Sequence, residues 1–231
     1  MRVDWISNCV TAIHHRRYII LYQKPVFHSE MRLFDPNGER LYLTKKELKA
    51  FLHETKKETP INRMYCHLLY YTGCRSSEAL QLTMDRVDLD NNIIRIKTLK
   101  QRKTDSYGRI KHPKYRDIPV PECFIESLDL VFGIRQKQKK GKDKNTILWV
   151  KCRTTMYRVV KVVMERAGIN GAMATCKGLR HSYGISRVTA DKPVQLHVLS
   201  QLMGHTCSKI TEVYLQFRDD EYIKMVNDSW E

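Results

Sequence analysis

Thr72-Gly73-Cys74-Arg75-Ser76-Ser77-Glu78-Ala79-Leu80 is the stretch whose reading decides the fold. Thr72-Gly73-Cys74 closes one helical pattern, and Ser76 opens a short helix expected to reach Leu82. Arg75 stands at the start of that helix, where the backbone dipole favours anions. A cation there is an ordinary surface side chain or a group held ready for an anion. Upstream, Pro60 opens a helix with Ile61, Met64, Tyr65, Leu68 and Leu69 at apolar positions. Before it, Thr44-Lys45-Lys46-Glu47 has the form of a capping box, and its helix should run to about Lys57. Residues 1–43 are the least regular part. They hold a strand-like run at Tyr18–Tyr22 and a turn signal at Asp35-Pro36-Asn37-Gly38, compatible with a hairpin.

Downstream, the turn Asp88–Asn92 leads into a strand at Ile93–Ile96, and Arg116–Val120 reads as its returning partner. From Arg95 to Arg116 nine residues are Lys or Arg and only Asp105 is acidic. A helix follows from Pro121 to about Ile134. Next comes a basic run, residues 135–144, read as a solvated, mobile connector or a phosphate contact. Met156, Val159, Val160, Val163, Met164 and Ala167 have helical period. Further helices should start near Gly178 and at Pro193, the latter capped by Gly204, with others around Tyr214 and over Tyr222–Val226. The fold class that emerges is α+β, mainly helical, with one small antiparallel β-hairpin or sheet.

The chain has 231 residues, enough to bury a core without staples. Its net charge of +16 points to a polyanionic partner, nucleic acid before an anionic membrane surface. Seven scattered Cys form no C-x-x-C and no zinc spacing, so free thiols in a reducing compartment are expected. No apolar run approaches the roughly 18 residues that span a bilayer. The expectation is a cytoplasmic, DNA-associated protein with no membrane partner.

Three further places stand out: Lys177-Gly178-Leu179-Arg180-His181-Ser182, Leu202-Met203-Gly204-His205, and Tyr214. Singly, each has an ordinary explanation. His205 after a glycine cap can simply bond the last helix carbonyls, and one Tyr among twelve is more often core than nucleophile. Together, two Arg, a Lys-rich hairpin, a His and a Tyr are what a metal-free phosphodiester transesterification needs. Two guanidinium forks bind the non-bridging oxygens and keep their charge. A Lys protonates the departing 5′ oxygen, and a Tyr hydroxyl attacks phosphorus. No acidic cluster has evident metal spacing, so neither a metal nor another cofactor is expected.

The sequence resembles the tyrosine recombinases, or phage integrase family. TGCRSSEAL matches the first Arg box, GLRHSYG the second, and LMGH followed by Tyr the third, over about residues 44–220. The resemblance implies that Arg75 and Arg180 clamp the phosphate, His205 hydrogen-bonds it, and Tyr214 forms a 3′-phosphotyrosyl bond. Glu78 would orient the first Arg. The acid would be a hairpin Lys: Lys97, Lys100 or Lys103, with Lys100 favoured because the strand should give way to loop there. The implied partners are double-stranded DNA and a homo-tetramer assembled on it.

Two features depart from the family pattern. Its His three residues before the second Arg is Lys177 here, a group able to donate to a phosphate oxygen but a poor neutral-pH base. His181 is expected to be structural. Only some forty residues precede the catalytic region. Residues 1–43 are therefore read as a short extension and 44–231 as the catalytic domain, with an accessory DNA-binding protein possible as the second clamp half. His14-His15-Arg16-Arg17 extends the DNA surface or is a solvated strip, and Tyr222–Trp230 docks on a neighbour or on its own core. The alternatives are a catalytically impaired DNA-binding protein that retains the fold and a topoisomerase-like relaxing enzyme.

Overall fold

The computed structural model describes residues 32–100, 104, 106–141, 145–205, 210–215, 227 and 230. The expected elements at Tyr18–Tyr22 and Tyr222–Val226, the pair of His and Arg at 14–17, and Lys103 lie outside them. The Asp35–Gly38 turn is present, closed by an antiparallel bridge between Phe34 and Arg40.

Helix α1 (Lys45–Glu54) starts on its capping box: Thr44 Oγ1 accepts from Glu47 N, and Glu47 Oε2 accepts from Thr44 N at 2.8 Å. A 3-10 turn at Thr55–Lys57 completes it. Helix α2 (Pro60–Thr72) has proline at its first position and ends at Gly73, whose φ of +57° suits glycine. Helix α3 (Ser76–Ala79) is shorter than its sequence suggests. Gln81 and Leu82 donate to Glu78 O and Ala79 O in 3-10 fashion, and Leu82 O then accepts from Leu148 N at 3.0 Å, drawing the chain out of the helix.

Strands β1 (Val87–Asp88), β2 (Ile93–Lys97) and β3 (Tyr115–Pro119) form an antiparallel sheet in that order. The register pairs Ile94 with Ile118, Arg95 with Asp117 and Ile96 with Arg116. Ile94, Ile96 and Ile118 are buried, whereas Arg95 and Asp117 form a bidentate ion pair on the outer face.

Helix α4 (Glu122–Phe132) turns at Gly133 into α5 (Ile134–Lys140). The basic run is thus helical from Arg135 to Lys140, where a mobile connector is one expectation from the sequence, and its residues 142–144 lie outside the described ones. Ile134 is fully buried, and the Gln138 amide donates to Met84 O and Val87 O, pinning a segment of good helix formers to the sheet edge. Helix α6 is Arg153–Arg166. Helix α7 (Cys176–Val188) begins two residues before Gly178, because Thr175 Oγ1 accepts from Gly178 N and caps it. Helix α8 (Leu196–Met203) begins beyond Pro193, since Val194 N donates to Arg187 O and holds the preceding residues in a turn.

The buried face of α2 (Met64, Tyr65, Leu68, Leu69) packs in one core with Met156, Val160, Val163 and Met164 of α6 and with the inner face of the sheet. Each such side chain contributes about 1.5–3 kcal/mol when fully buried. A second cluster joins Tyr183 and Val188 of α7 to Leu199, Met203, Val213 and Tyr214. Helix α7 contributes to both, which places Arg180 between them. Among the described residues, no helix is long and apolar enough to cross a membrane.

Candidate active site

The α2–α3 turn fixes Arg75. A Cβ on Gly73 would lie 2.5 Å from the Tyr183 ring, so glycine lets the turn close directly on α7. Arg75 then caps α3: its backbone N–H donates to Glu78 Oε2 at 3.0 Å and its Nη1 to Oε1 at 3.2 Å. The Arg75 side chain is partly exposed, whereas that of Glu78 is fully buried. Burial alone pushes the Glu78 carboxyl upward, but the neighbouring arginines, Arg116 foremost, hold it below the ordinary range as a carboxylate.

Arg180 is buried on α7. Its Nη1 donates to Gly73 O and its Nη2 to Met203 O, both at 2.7 Å. These bonds use two of its five N–H donors. Burial and then the Arg75 charge push Arg180 down to about 10, so it remains charged at neutral pH.

Gly204 ends α8 in the left-handed region and turns the chain to His205. His205 is buried, its Nδ1 2.8 Å from Thr211 Oγ1, and its Nε2 meets no hydrogen-bond partner among the described residues. Burial and the charges of Arg180, Arg75 and Arg116 push His205 down to about 3, leaving a neutral imidazole. The ring of Tyr214, on a 3-10 turn at Glu212–Leu215, stacks on His205 at 6.2 Å between centroids. Tyr214 has no exposed surface, and its hydroxyl lies 3.4 Å from His181 Nδ1. Burial pushes the phenol up to about 12, against the opposing pull of Arg180 and Arg75. The ring rests where Gly184 offers no side chain: a Cβ there would lie 2.6 Å from two of its carbons.

Arg75, Arg180, His205 and Tyr214 are therefore brought together. Lys177 lies exposed in the first turn of α7, and its charge helps lower His181. Lys100 is exposed in the loop beyond the last residue of β2, Lys97. His181 is buried as a structural residue would be, yet its contact is the Tyr214 hydroxyl, and its Nε2 has no partner among the described residues.

Sequence reasoning missed Arg116, a buried member of this cluster. Its Nε donates to Leu202 O at 2.8 Å, its Nη1 to Thr98 Oγ1 at 3.0 Å, and its Nη2 to Glu78 Oε2 at 2.6 Å. The signal was available: alternation along Tyr115–Pro119 puts Arg116 on the same face as Ile118. A charge on the core face of a strand is a departure that marks a site.

Three arginines, a histidine and a buried tyrosine thus meet in one place of a mainly helical fold, and the comparisons assign that fold to a known class. Residues 41–221 match the model of the phage integrase family, and the chain belongs to that family. Tyrosine recombinase XerA of Pyrococcus furiosus is 24% identical over 181 residues, covering 74% of this chain and 56% of that protein. Tyrosine recombinase XerH of Campylobacter jejuni is 24% identical over 191 residues, covering 78% of this chain and 49% of that protein. The chain thus spans about half the length of these curated relatives. Among solved structures, XerA recombinase superposes with a TM-score of 0.64 at 22% identity, over 81% of this chain and 64% of that one. XerH bound to its difH substrate in a pre-cleavage complex gives 0.62 at 22% identity, over 86% and 60%. These structures share the mainly helical fold with its small antiparallel sheet.

Proposed function

We propose that this protein is a site-specific tyrosine recombinase that cleaves and rejoins double-stranded DNA through a 3′-phosphotyrosyl intermediate. The observation that carries this reading is the convergence of Arg75, Arg180, His205 and Tyr214 within one electrostatic environment. Arg75 and the unused donors of Arg180 bind the non-bridging oxygens, where charge gathers in the transition state. In this reading Thr211 Oγ1 donates to Nδ1, which leaves the His205 proton on Nε2 as a neutral donor. Tyr214 Oη forms the bond to phosphorus as the 5′ oxygen leaves, and Lys100 protonates that oxygen. In this reading His181 Nδ1, 3.4 Å from Oη, is the acceptor as the proton departs. Lys177 donates to a phosphate oxygen in place of the family's His.

The resting Tyr214 is fully covered, so attack requires the groups over its hydroxyl to give way when DNA enters, while the ring keeps its seat on Gly184. The energy of the broken bond is held in the phosphotyrosine, and a 5′ hydroxyl from a partner strand reverses the step. Exchange between two duplexes calls for four protomers. Residues 44–231 are the catalytic region, and 1–43 lead into it. The burial of Tyr214 and the Lys at 177 favour one second reading, a catalytically impaired DNA-binding protein.

Covalent trapping separates the two. Nicked duplexes tiled across the gene's own neighbourhood are incubated with the protein in EDTA, with Tyr214→Phe in parallel. A denaturant-resistant adduct that vanishes in the mutant is expected. Binding without an adduct on every duplex would leave the DNA-binding reading standing.

A further inference from the structure

Two arginines grip successive carbonyls at the end of α8. Arg180 Nη2 takes Met203 O, and Arg116 Nε takes Leu202 O. The last carbonyls of a helix have no partners within it and carry its negative pole, so cations bind well there. Arg116 does more than complete this end. Its other bonds reach Glu78, which holds Arg75, and Thr98, which begins the loop carrying Lys100. Thr98 is itself tied across the hairpin, its N–H donating to Lys114 O at 2.9 Å. Gly204 leaves room for the guanidinium: a Cβ there would lie 2.9 Å from Arg116 Nη1.

We infer that Arg116 is a positioning residue that sets Arg75, the Lys100 loop and the His205 turn in one mutual geometry. The inference rests on the strand-cleavage reading above. Arg116 comes from a strand, so it links the hairpin that would lie along DNA to both halves of the phosphate clamp. Its side chain is only 6% exposed and its charge is matched by Glu78, so it acts through those partners and adds little to DNA affinity. A planar guanidinium can serve three acceptors in three directions. A lysine ammonium concentrates its donors at one point and cannot span them.

The test compares wild type, Arg116→Lys and Arg116→Gln. Adduct formation is timed at saturating nicked duplex, duplex Kd is measured by anisotropy, and folding is checked by a cooperative melt. Misplacement by about 1 Å costs on the order of 100-fold in rate. A folded Arg116→Gln should therefore lose about 100-fold in adduct rate with Kd within about threefold, and Arg116→Lys should fall between it and wild type. A wild-type rate in folded Arg116→Gln, or a loss confined to Kd, overturns the inference. Should Arg116→Gln not fold, Thr98→Val removes one arm of the fork. A slower adduct rate at unchanged Kd then supports the role, and a wild-type rate overturns it. If wild type itself forms no adduct, the strand-cleavage reading fails first. The inference is then decided on DNA-free protein by the NMR signals of Arg75 Nε–H and the His205 ring. Displacement of both in Arg116→Lys supports it, and unmoved signals overturn it.

Discussion

Gly184→Ala tests the seat of the tyrosine directly. An ideal Cβ at position 184 lies 2.6 Å from Cε1 and Cζ of Tyr214, against 3.4–4 Å for ordinary contact. Helix α7 is held on both sides by packed clusters, so the ring, not the helix, must yield, by about 1 Å. Two terms then oppose one another in stability. Overpacking costs about 1–3 kcal/mol, whereas replacing a mid-helix glycine by alanine returns about 1 kcal/mol. The net is about 0–2 kcal/mol, and at roughly 2–4 °C per kcal/mol the melting temperature falls by no more than about 8 °C. The reacting atom is less forgiving: displacement of about 1 Å costs on the order of 100-fold, about 2.7 kcal/mol in the barrier. The expected result is a folded protein with wild-type duplex affinity and an adduct rate about 100-fold lower. A folded Gly184→Ala that forms adduct at the wild-type rate would refute the claim that this seat governs the nucleophile.

Three other outcomes follow from the same geometry. His181 and His205 are both held neutral, each pushed down to about 3, so unfolding lets them take up protons below their ordinary value of about 6.5. The stability they supply is complete above pH 6.5 or so and is lost as pH falls toward 3; at pH 5.5 each should cost about 1.4 kcal/mol, read as a drop in melting temperature that His205→Asn reduces. Arg180→Lys cannot reach Gly73 O and Met203 O together and still face a phosphate, so adduct formation should fall by on the order of 10³-fold in an assay at saturating duplex. Lys100→Ala should lower the slope of log Kd against log salt by about 0.9, as expected for one lost phosphate contact, and should slow cleavage beyond that.

Local signals made the helical frame legible. Thr44 and Glu47 announce α1, Pro60 and Gly73 bracket α2, and Gly204 stops α8. The sheet followed from alternation at Ile93–Ile96, although two-residue β1 is too short to leave a pattern. The basic run after Ile134 misled, because Lys and Arg suit a solvated loop and a surface helix equally. What decided it was Gln138 reaching Met84 O and Val87 O, carbonyls some fifty residues away in sequence. The residues of the three boxes could be singled out from the sequence, but not their mutual placement. That Tyr214 sits unexposed against His181, and that Arg116 joins the first and third boxes to the hairpin, depends on contacts between residues far apart in sequence.

The hydrogen bonds of Arg180 have one more consequence. Its two bonds go to neutral carbonyls, and among the described residues Glu78 is the carboxylate ion-paired with Arg75 and Arg116. Three guanidinium groups therefore neighbour that one carboxylate, and after burial the charges of Arg75 and Arg116 push Arg180 down while Glu78 offsets them in part. On the strand-cleavage reading proposed above, a phosphodiester among them adds counter-charge, so binding it stabilises the fold. On that reading DNA is a scaffold for the fold as well as its target, and the melting temperature should climb as matching duplex is added.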